Sequence, residues 1–109
     1  MSQTRPFVAT YLMANFRNGT LYLGVTSDLS TRVLQHKRGR HDGFSKQHGC
    51  RMLVWYEEFE TIIRAIAREK AIKHWRRDWK LALIEGGNPD WRDRSEGWFP
   101  WEEGRYSDE

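Results

Sequence analysis

Two apolar segments near the start of the chain alternate in the manner of paired β-strands. They span residues 8–16 and 21–26, and Asn18-Gly19 lies between them. Asn-Gly is typical of a two-residue type I′ turn, which needs a positive φ at both central residues. The pattern therefore predicts a β-hairpin in which Arg17 faces Thr20.

The side chains of a strand alternate between the two faces of a sheet. In this register, one face is nearly all apolar, and we expect it to be the core side. The other face carries Tyr11, Tyr22 and Gly24. A slip of one residue would separate the tyrosines, so their shared face depends on the register. The apolar face holds Val8, Thr10, Leu12, Ala14, Phe16, Leu21, Leu23 and Val25.

A helix is predicted directly after the second strand. Asp28 or the serine before it is a suitable N-cap, and Gly39 is a suitable C-terminal stop. Arg32 and His36 lie one helical turn apart, at the edge of the apolar stripe of this helix. We expect both polar side chains to reach the rim of the sheet while staying partly solvated.

The remaining pattern predicts one more strand and two helical segments. Residues 39–50 are glycine-rich and basic, which indicates a long loop with at most one helical turn. Residues 51–59 are rich in strand formers and should add a third strand. Residues 61–75 form the clearest helix, and residues 76–85 either continue it or form a second helix. The predicted fold is α+β, a small three-stranded antiparallel-type sheet flanked by helices.

Length and composition are those of one domain. A chain of 109 residues that is 39% hydrophobic can bury one core. We assign residues 1–93 to this domain and residues 94–109 to an acidic, Trp-rich C-terminal extension. There is no transmembrane-length apolar run, no signal-peptide pattern and a single cysteine, Cys50. We therefore expect a cytoplasmic protein without membrane contact.

Positive charge is concentrated in two segments of the chain. Residues 32–51 hold six Lys and Arg against one acid, and residues 64–80 hold seven against two. From residue 85 onward, eight acids stand against three arginines. Such runs are often only solvated surface, but two of them beside one candidate site favour a polyanionic partner such as nucleic acid.

One carboxylate, that of Glu69, lies on the apolar stripe of the helix over residues 61–75. A buried carboxylate is costly unless it is paired or bound to a cation. An ion pair with Arg32 is one explanation, and a divalent metal is the other. Magnesium needs only one or two protein carboxylates because it keeps most of its waters. The stripe consists of Ile62, Ile66, Glu69, Ile72 and Trp75.

The order of the strand tyrosines, the helix Arg and His and the later carboxylate resembles that in the GIY-YIG nuclease domain. Its two half-motifs correspond to residues 9–11, Ala-Thr-Tyr, and residues 22–24, Tyr-Leu-Gly. Arg32 and His36 match the helix Arg and the Tyr or His one turn later, and Glu69 matches the carboxylate of a later helix. The resemblance covers residues 6–93 and is closest to small single-domain bacterial members.

Several positions depart from the family pattern or extend it. Ala-Thr replaces Gly-Ile before Tyr11, and Val25 stands where the repair-incision members have a lysine. Asn88-Pro89-x-Trp91 resembles the ending of the small members, although its spacing from Glu69 is longer than in several members.

The resemblance implies a metal-dependent endonuclease that hydrolyses phosphodiester bonds in DNA. Glu69 would hold one Mg²⁺ or Mn²⁺, and Arg32 would bind a phosphate oxygen. Tyr11 or Tyr22 would activate the attacking water. A phenol with its ordinary pKa of about 10 is a poor base, so a nearby Arg32, His36 or metal would have to lower that pKa.

The resemblance also implies a wider set of contacts to nucleic acid. Gly24, without a side chain on the tyrosine face, would leave room for the substrate backbone. No small-molecule cofactor is expected. The predicted contact residues are Gly24, Lys37, Arg38, Arg40, His41, Lys46 and Asn88.

Two other classes of function remain open on the sequence alone. A nucleic-acid-binding module that does not cut would use the same basic segments but would have no need of Glu69. In a structural or interaction protein, the tyrosines would be packing residues, and Glu69 would belong to an ion pair.

Overall fold

The first strand forms the centre of the sheet. β1 (Val8–Ala14) pairs antiparallel with β2 (Leu21–Thr26) on one side and with β3 (Met52–Phe59) on the other. The computed structural model describes residues 7–40 and 43–102. The predicted α+β fold and its three-stranded antiparallel sheet are both confirmed.

Two helices precede β3 and two follow it. α1 (Leu29–Lys37) and α2 (Gly43–His48) connect β2 to β3. α3 (Ile62–Lys73) and α4 (Arg77–Gly87) come after β3 and are separate helices. Within the described ranges, none of these helices has the length and apolarity needed to cross a bilayer. A short 3₁₀ turn follows at Pro100–Glu102.

The ends of α1 lie where local signals predict them. The Asp28 carboxylate caps the first turn by accepting a hydrogen bond from the Thr31 backbone N–H. After the last turn, Gly39 takes a φ of 69° and donates its N–H to the His36 carbonyl. The segment predicted as a long loop contains α2.

The hairpin turn is longer than predicted. Thr20 faces Asn15 rather than Arg17, and the Asn15 N–H donates to the Thr20 carbonyl at 3.3 Å. A bond of 2.9 Å from the Gly19 N–H to the Phe16 carbonyl closes the turn. The register is therefore shifted by two residues from the predicted one.

A shift of two residues keeps each paired side chain on its predicted face. Tyr11 and Tyr22 accordingly lie on one face, with their ring centroids 6.3 Å apart. Phe16 is the exception, because it belongs to the turn and is 62% exposed. Its predicted place on the core face is wrong.

Both faces of the sheet are packed, so the prediction of a single core side is also wrong. One face, here called the α1 face, is covered by α1 and carries both tyrosines. The other, the α3 face, is covered by α3 and α4. The α1 face buries Ala9, Tyr11, Met13, Leu29, Val33, Cys50, Leu53 and Phe99, and the α3 face buries Leu12, Ala14, Val54, Trp55, Ile72, Ile84 and Trp91.

The chain after α4 covers the outer edge of β3. The Leu53 N–H donates to Asp93 Oδ1 at 3.2 Å, and the Leu53 carbonyl accepts from the Arg94 N–H at 2.7 Å. Further along, Phe99 is buried in the core of the α1 face. Because β1 is central and β3 is covered here, the edge of the sheet that faces outward is β2.

Asp93 joins this segment to α1. Its Oδ1 also accepts from the backbone N–H and hydroxyl of Ser95, and its Oδ2 lies 2.5 Å from Lys37 Nζ. Burial raises the pKa of the Asp93 carboxyl. The hydrogen bonds from Lys37 and Ser95 and the charge of Lys37 outweigh that effect, so the pKa lies below its ordinary value.

Asp93→Asn is expected to lower the free energy of unfolding by about 2 kcal/mol near pH 7, as for the loss of hydrogen bonds to a charged group. A carboxyl whose pKa is lowered by folding adds stability above its unfolded pKa, and this is lost as the pH falls through the folded pKa. The difference between wild type and variant should therefore shrink below about pH 4. Urea unfolding from pH 7 to pH 3 measures it, with the exposed Asp90→Asn as control. A pH-independent difference would contradict the assignment.

Candidate active site

Tyr11 lies completely inside the protein. Its Oη is 2.9 Å from Nε2 of His36, and Nδ1 of His36 is 2.7 Å from Oγ of Ser45. His36 and Ser45 are each only 2% exposed. The expectation that His36 stays partly solvated is wrong, because the side chain points inward between α1, α2 and the sheet. A buried chain of hydrogen bonds therefore connects β1, α1 and α2.

The direction of this chain follows from its last member. Ser45 Oγ lies 3.5 Å from the Cys50 carbonyl oxygen, which can only accept a hydrogen bond. When Ser45 donates to Cys50, its oxygen accepts from the N–H at Nδ1 of His36, and Nε2 accepts from the Tyr11 hydroxyl. In this direction of the chain, a neutral His36 would carry its proton at Nδ1.

Gly24 provides the space for the ring of Tyr11. The two residues face each other across β1 and β2, and a Cβ at Gly24 would lie 2.5 Å from both Cζ and Oη of Tyr11. The space that we predicted for the substrate backbone is therefore filled by the protein itself. Gly24 contributes to the site by admitting Tyr11, and its contact with nucleic acid stays a prediction.

Tyr22 is the tyrosine that reaches the surface. Its ring centroid lies 5.0 Å from that of His36, with the two planes at 62°. Tyr22 is half-buried, whereas the exposed fraction of Tyr11 is 0%. Of the two, only Tyr22 presents part of its side chain to a water molecule or a phosphate.

Arg32 lies on one flank of the buried stripe of α1. Lys37, about 140° further around the helix, lies on the opposite flank of the buried stripe. It reaches Asp93 and the Arg51 carbonyl beside β3. Arg32 is half-buried, and within the described part of the chain its guanidinium has no hydrogen bond or ion pair.

Glu69 lies on the β2 side of α3. Ile72 packs into the core of the α3 face, and Arg68 reaches Glu57 of β3 at 3.0 Å. Glu69 is about 100° further around the helix than Arg68, which turns it away from β3 and toward β2. It is half-buried and makes no hydrogen bond or ion pair with any described residue. The predicted alternative, an ion pair with Arg32, is therefore absent.

Arg32 and Glu69 belong to helices on opposite faces of the sheet. Helical geometry turns both side chains away from β3, toward the side of the sheet that β2 forms, and Tyr22 is on β2 itself. The candidate site therefore lies along the β2 edge of the sheet. Among the described residues, no three His, Cys, Asp or Glu side chains converge, so a cation at Glu69 would have at most two such protein ligands.

Two predicted nucleic-acid contacts have structural roles. The Lys37 side chain is 14% exposed and holds Asp93. Asn88 is 6% exposed, and its amide donates to the Val54 and Arg92 carbonyls while its Oδ1 accepts from the Arg92 N–H. Both side chains are thus committed to contacts within the protein, and a contact of either with nucleic acid stays a prediction.

The other predicted contacts divide into two groups. Arg38, Arg40 and Lys46 are exposed, as a contact with a phosphate backbone requires, and their role stays a prediction. His41 lies outside the described residues.

The sequence analysis did not identify Ser45 as a site residue, because its partner His36 is nine residues away and the intervening segment carries no periodic pattern.

Comparison with known proteins identifies relatives of the whole domain. The family model of the GIY-YIG catalytic domain matches residues 7–82. A UPF0213 protein of Staphylococcus saprophyticus is 35% identical over 71 residues, covering 65% of this chain and 87% of that protein. A UPF0213 protein of Staphylococcus aureus is 38% identical over 68 residues, covering 62% and 83%.

A solved structure has a similar fold. The solution NMR structure of the UPF0213 protein BH0048 from Bacillus halodurans aligns with a TM-score of 0.51 at 22% identity. The alignment covers 83% of this chain and 95% of that chain. At this identity, the likeness concerns the fold alone.

Proposed function

The chain belongs to the GIY-YIG family of nuclease catalytic domains, and from that premise we propose that it is a metal-dependent endonuclease that hydrolyses phosphodiester bonds in DNA. One observation carries the proposal. Arg32 and Glu69 have no hydrogen-bond or ion-pair partner among the described residues, and helical geometry turns both toward the β2 side of the sheet, where Tyr22 lies. Phosphodiester hydrolysis needs these three chemistries together: a cationic hold on the phosphate, a metal ligand, and a group that positions water.

Glu69 suits a single hard cation. Its carboxylate is half-buried without an internal partner, and Mg²⁺ or Mn²⁺ accepts one such oxygen ligand while keeping most of its waters. When bound, the cation would neutralise charge that develops on the phosphate and on the leaving oxygen.

Arg32 is suited to hold a non-bridging oxygen of the scissile phosphate. Its guanidinium is permanently charged, and its planar fork matches two phosphate oxygens at once. A half-buried position in α1 keeps part of the side chain fixed before the substrate arrives. Less conformational freedom is then lost on binding.

Tyr22 orients the attacking water in this proposal, because it is the accessible tyrosine. Tyr11 is a positioning residue. Its ring lies 6.3 Å from that of Tyr22, and the hydrogen bond to His36 fixes the direction of its hydroxyl. Ser45 positions His36 in turn, so the buried chain supports the one phenol that meets the substrate.

A plasmid nicking assay tests the proposal. Wild-type protein should nick DNA with Mg²⁺ or Mn²⁺ and should be inactive in EDTA. Arg32→Gln should lower the rate by roughly 10²–10³-fold, as expected for losing one preorganised group at the developing charge. Arg64→Gln, on the exposed side of α3, is the matched control and should cut at the wild-type rate. DNA binding without cleavage would instead indicate a binding module. The absence of both binding and cleavage would indicate an interaction protein.

Ser45→Ala is expected to remove the hydrogen bond that holds His36 in a single tautomer. In the proposed direction of the chain, Ser45 accepts from Nδ1 of His36 at 2.7 Å, so the ¹⁵N chemical shifts of the wild-type imidazole should show one tautomer, protonated at Nδ1. In the variant, both tautomers should appear, and cleavage should fall by about tenfold, as for losing one oriented hydrogen bond. Ser45→Thr keeps the hydroxyl and should restore both readouts. Unchanged imidazole shifts in Ser45→Ala would contradict the assigned network.

A further inference from the structure

Phe44 on α2 extends the aromatic cluster of the site to the surface. It is 48% exposed, and its ring lies 6.3 Å from that of Tyr22 and 4.6 Å from that of His48. A single exposed aromatic residue is common on soluble proteins. Phe44 differs because it touches the tyrosine that we assign to the reaction.

An open cavity of about 310 Å³ lies against Phe44. Its lining combines this aromatic ring with cationic side chains from α4. Arg77 Nη2 donates to the Asn18 and Gly19 carbonyls at 2.8 and 2.7 Å, which fixes the guanidinium at the cavity wall. Lys80 is half-buried and has no hydrogen bond or ion pair within the described residues. The cavity is lined by Thr20, Leu21, Phe44, Arg77 and Lys80.

We propose that this cavity is a nucleotide subsite, in which an unpaired base stacks on Phe44 while Lys80 and Arg77 attract the adjoining phosphate. Every base has a π-face, so stacking on an exposed aromatic ring needs no particular sequence. Because Phe44 contacts Tyr22, the stacked base belongs to a nucleotide close to the scissile bond. The inference rests on the proposed function and adds the class of substrate.

Stacking on Phe44 requires a base that is out of the double helix. In an intact duplex, both faces of a base are already covered by its neighbours, and extracting it costs unstacking energy. The subsite therefore favours single strands, flaps or other unpaired regions over an uninterrupted duplex. This selectivity follows from the position of Phe44 and does not depend on which metal serves the reaction.

Binding of fluorescein-labelled oligonucleotides to the full chain tests the subsite. Glu69→Gln serves as the parent, so that binding is measured without cleavage. Adding Phe44→Leu should weaken single-strand binding by about tenfold and leave duplex binding unchanged, because leucine keeps the apolar volume and loses the stacking face. Phe44→Tyr should bind as the parent does. Lys80→Gln should reduce the slope of the logarithm of the binding constant against the logarithm of the salt concentration by about one, as for the loss of one phosphate contact.

Trp101→Leu is the matched control, since Trp101 is 61% exposed, packs on Phe99 and does not line the cavity. It should bind like the parent. A 2-aminopurine base in the oligonucleotide should lose fluorescence with the parent and not with Phe44→Leu. Equal single-strand affinities of parent and Phe44→Leu would overturn the subsite. If wild type cleaves normally in that case, the nuclease assignment stands and only the subsite fails.

Discussion

Glu69→Gln is expected to abolish cleavage without unfolding the protein. Glutamine keeps the size of the side chain, and no hydrogen bond or ion pair to the described residues is lost with the charge. What is lost is the single carboxylate suited to a divalent cation. A metal ion stabilises a phosphoryl transition state by several kcal/mol, and about 4 kcal/mol corresponds to roughly a thousandfold in rate.

Initial rates of plasmid nicking across a range of Mn²⁺ concentrations measure this effect. The control is Glu60→Gln, which removes the same charge from an exposed position just beyond β3 and should cut normally. Both variants should melt close to wild type, since exposed or half-exposed substitutions usually change stability by less than about 0.5 kcal/mol. Wild-type cleavage by Glu69→Gln would remove Glu69 from the site and leave the metal without a ligand.

Gly24→Ala is expected to damage both stability and the site. The new Cβ would lie 2.5 Å from Tyr11 Oη and Cζ, and the ring cannot yield easily because Tyr11 is fully buried and bonded to His36. Overpacking of this kind costs about 1–3 kcal/mol, which lowers the melting temperature by roughly 5–15 °C in a domain of this size. The displaced Tyr11 should also lose its hydrogen bond to His36.

Gly86→Ala is the matched control, and we expect a change of the opposite sign. Gly86 lies in α4 with open space around the position of a Cβ, so alanine should stabilise the helix by about 0.5–1 kcal/mol. Thermal unfolding followed by circular dichroism measures both variants, and cleavage assays should show a loss for Gly24→Ala alone. If Gly24→Ala melted at or above the wild-type temperature, the close packing of Tyr11 on Gly24 would be disproved.

Local sequence signals were sufficient to predict the helices and strands and the order of the candidate site residues along the chain. Asp28 and Gly39 mark the ends of α1, because capping depends on a few neighbouring residues. Alternation put Tyr11 and Tyr22 on one face even though the register was off by two, because a strand repeats every two residues. Each of these features is encoded within about ten residues of chain.

The roles of individual side chains were decided by contacts between distant segments. His36 is buried because α2 brings Ser45 to it, and Lys37 is occupied because the segment after α4 brings Asp93 to it. Gly24 receives the ring of Tyr11 from the neighbouring strand. These three pairs of contacting residues are too far apart in the chain for a local sequence pattern to predict.

The sequence by itself determined the α+β fold, the shared face of the tyrosines and a chain of polar residues that resembles a nuclease, since periodicity and caps are local. Only the tertiary structure decided that Arg32 and Glu69 lie on helices at opposite faces of the sheet and that Tyr22 is the accessible phenol. The physical reason is that exposure and approach depend on which helix covers which face, and long-range packing sets that arrangement.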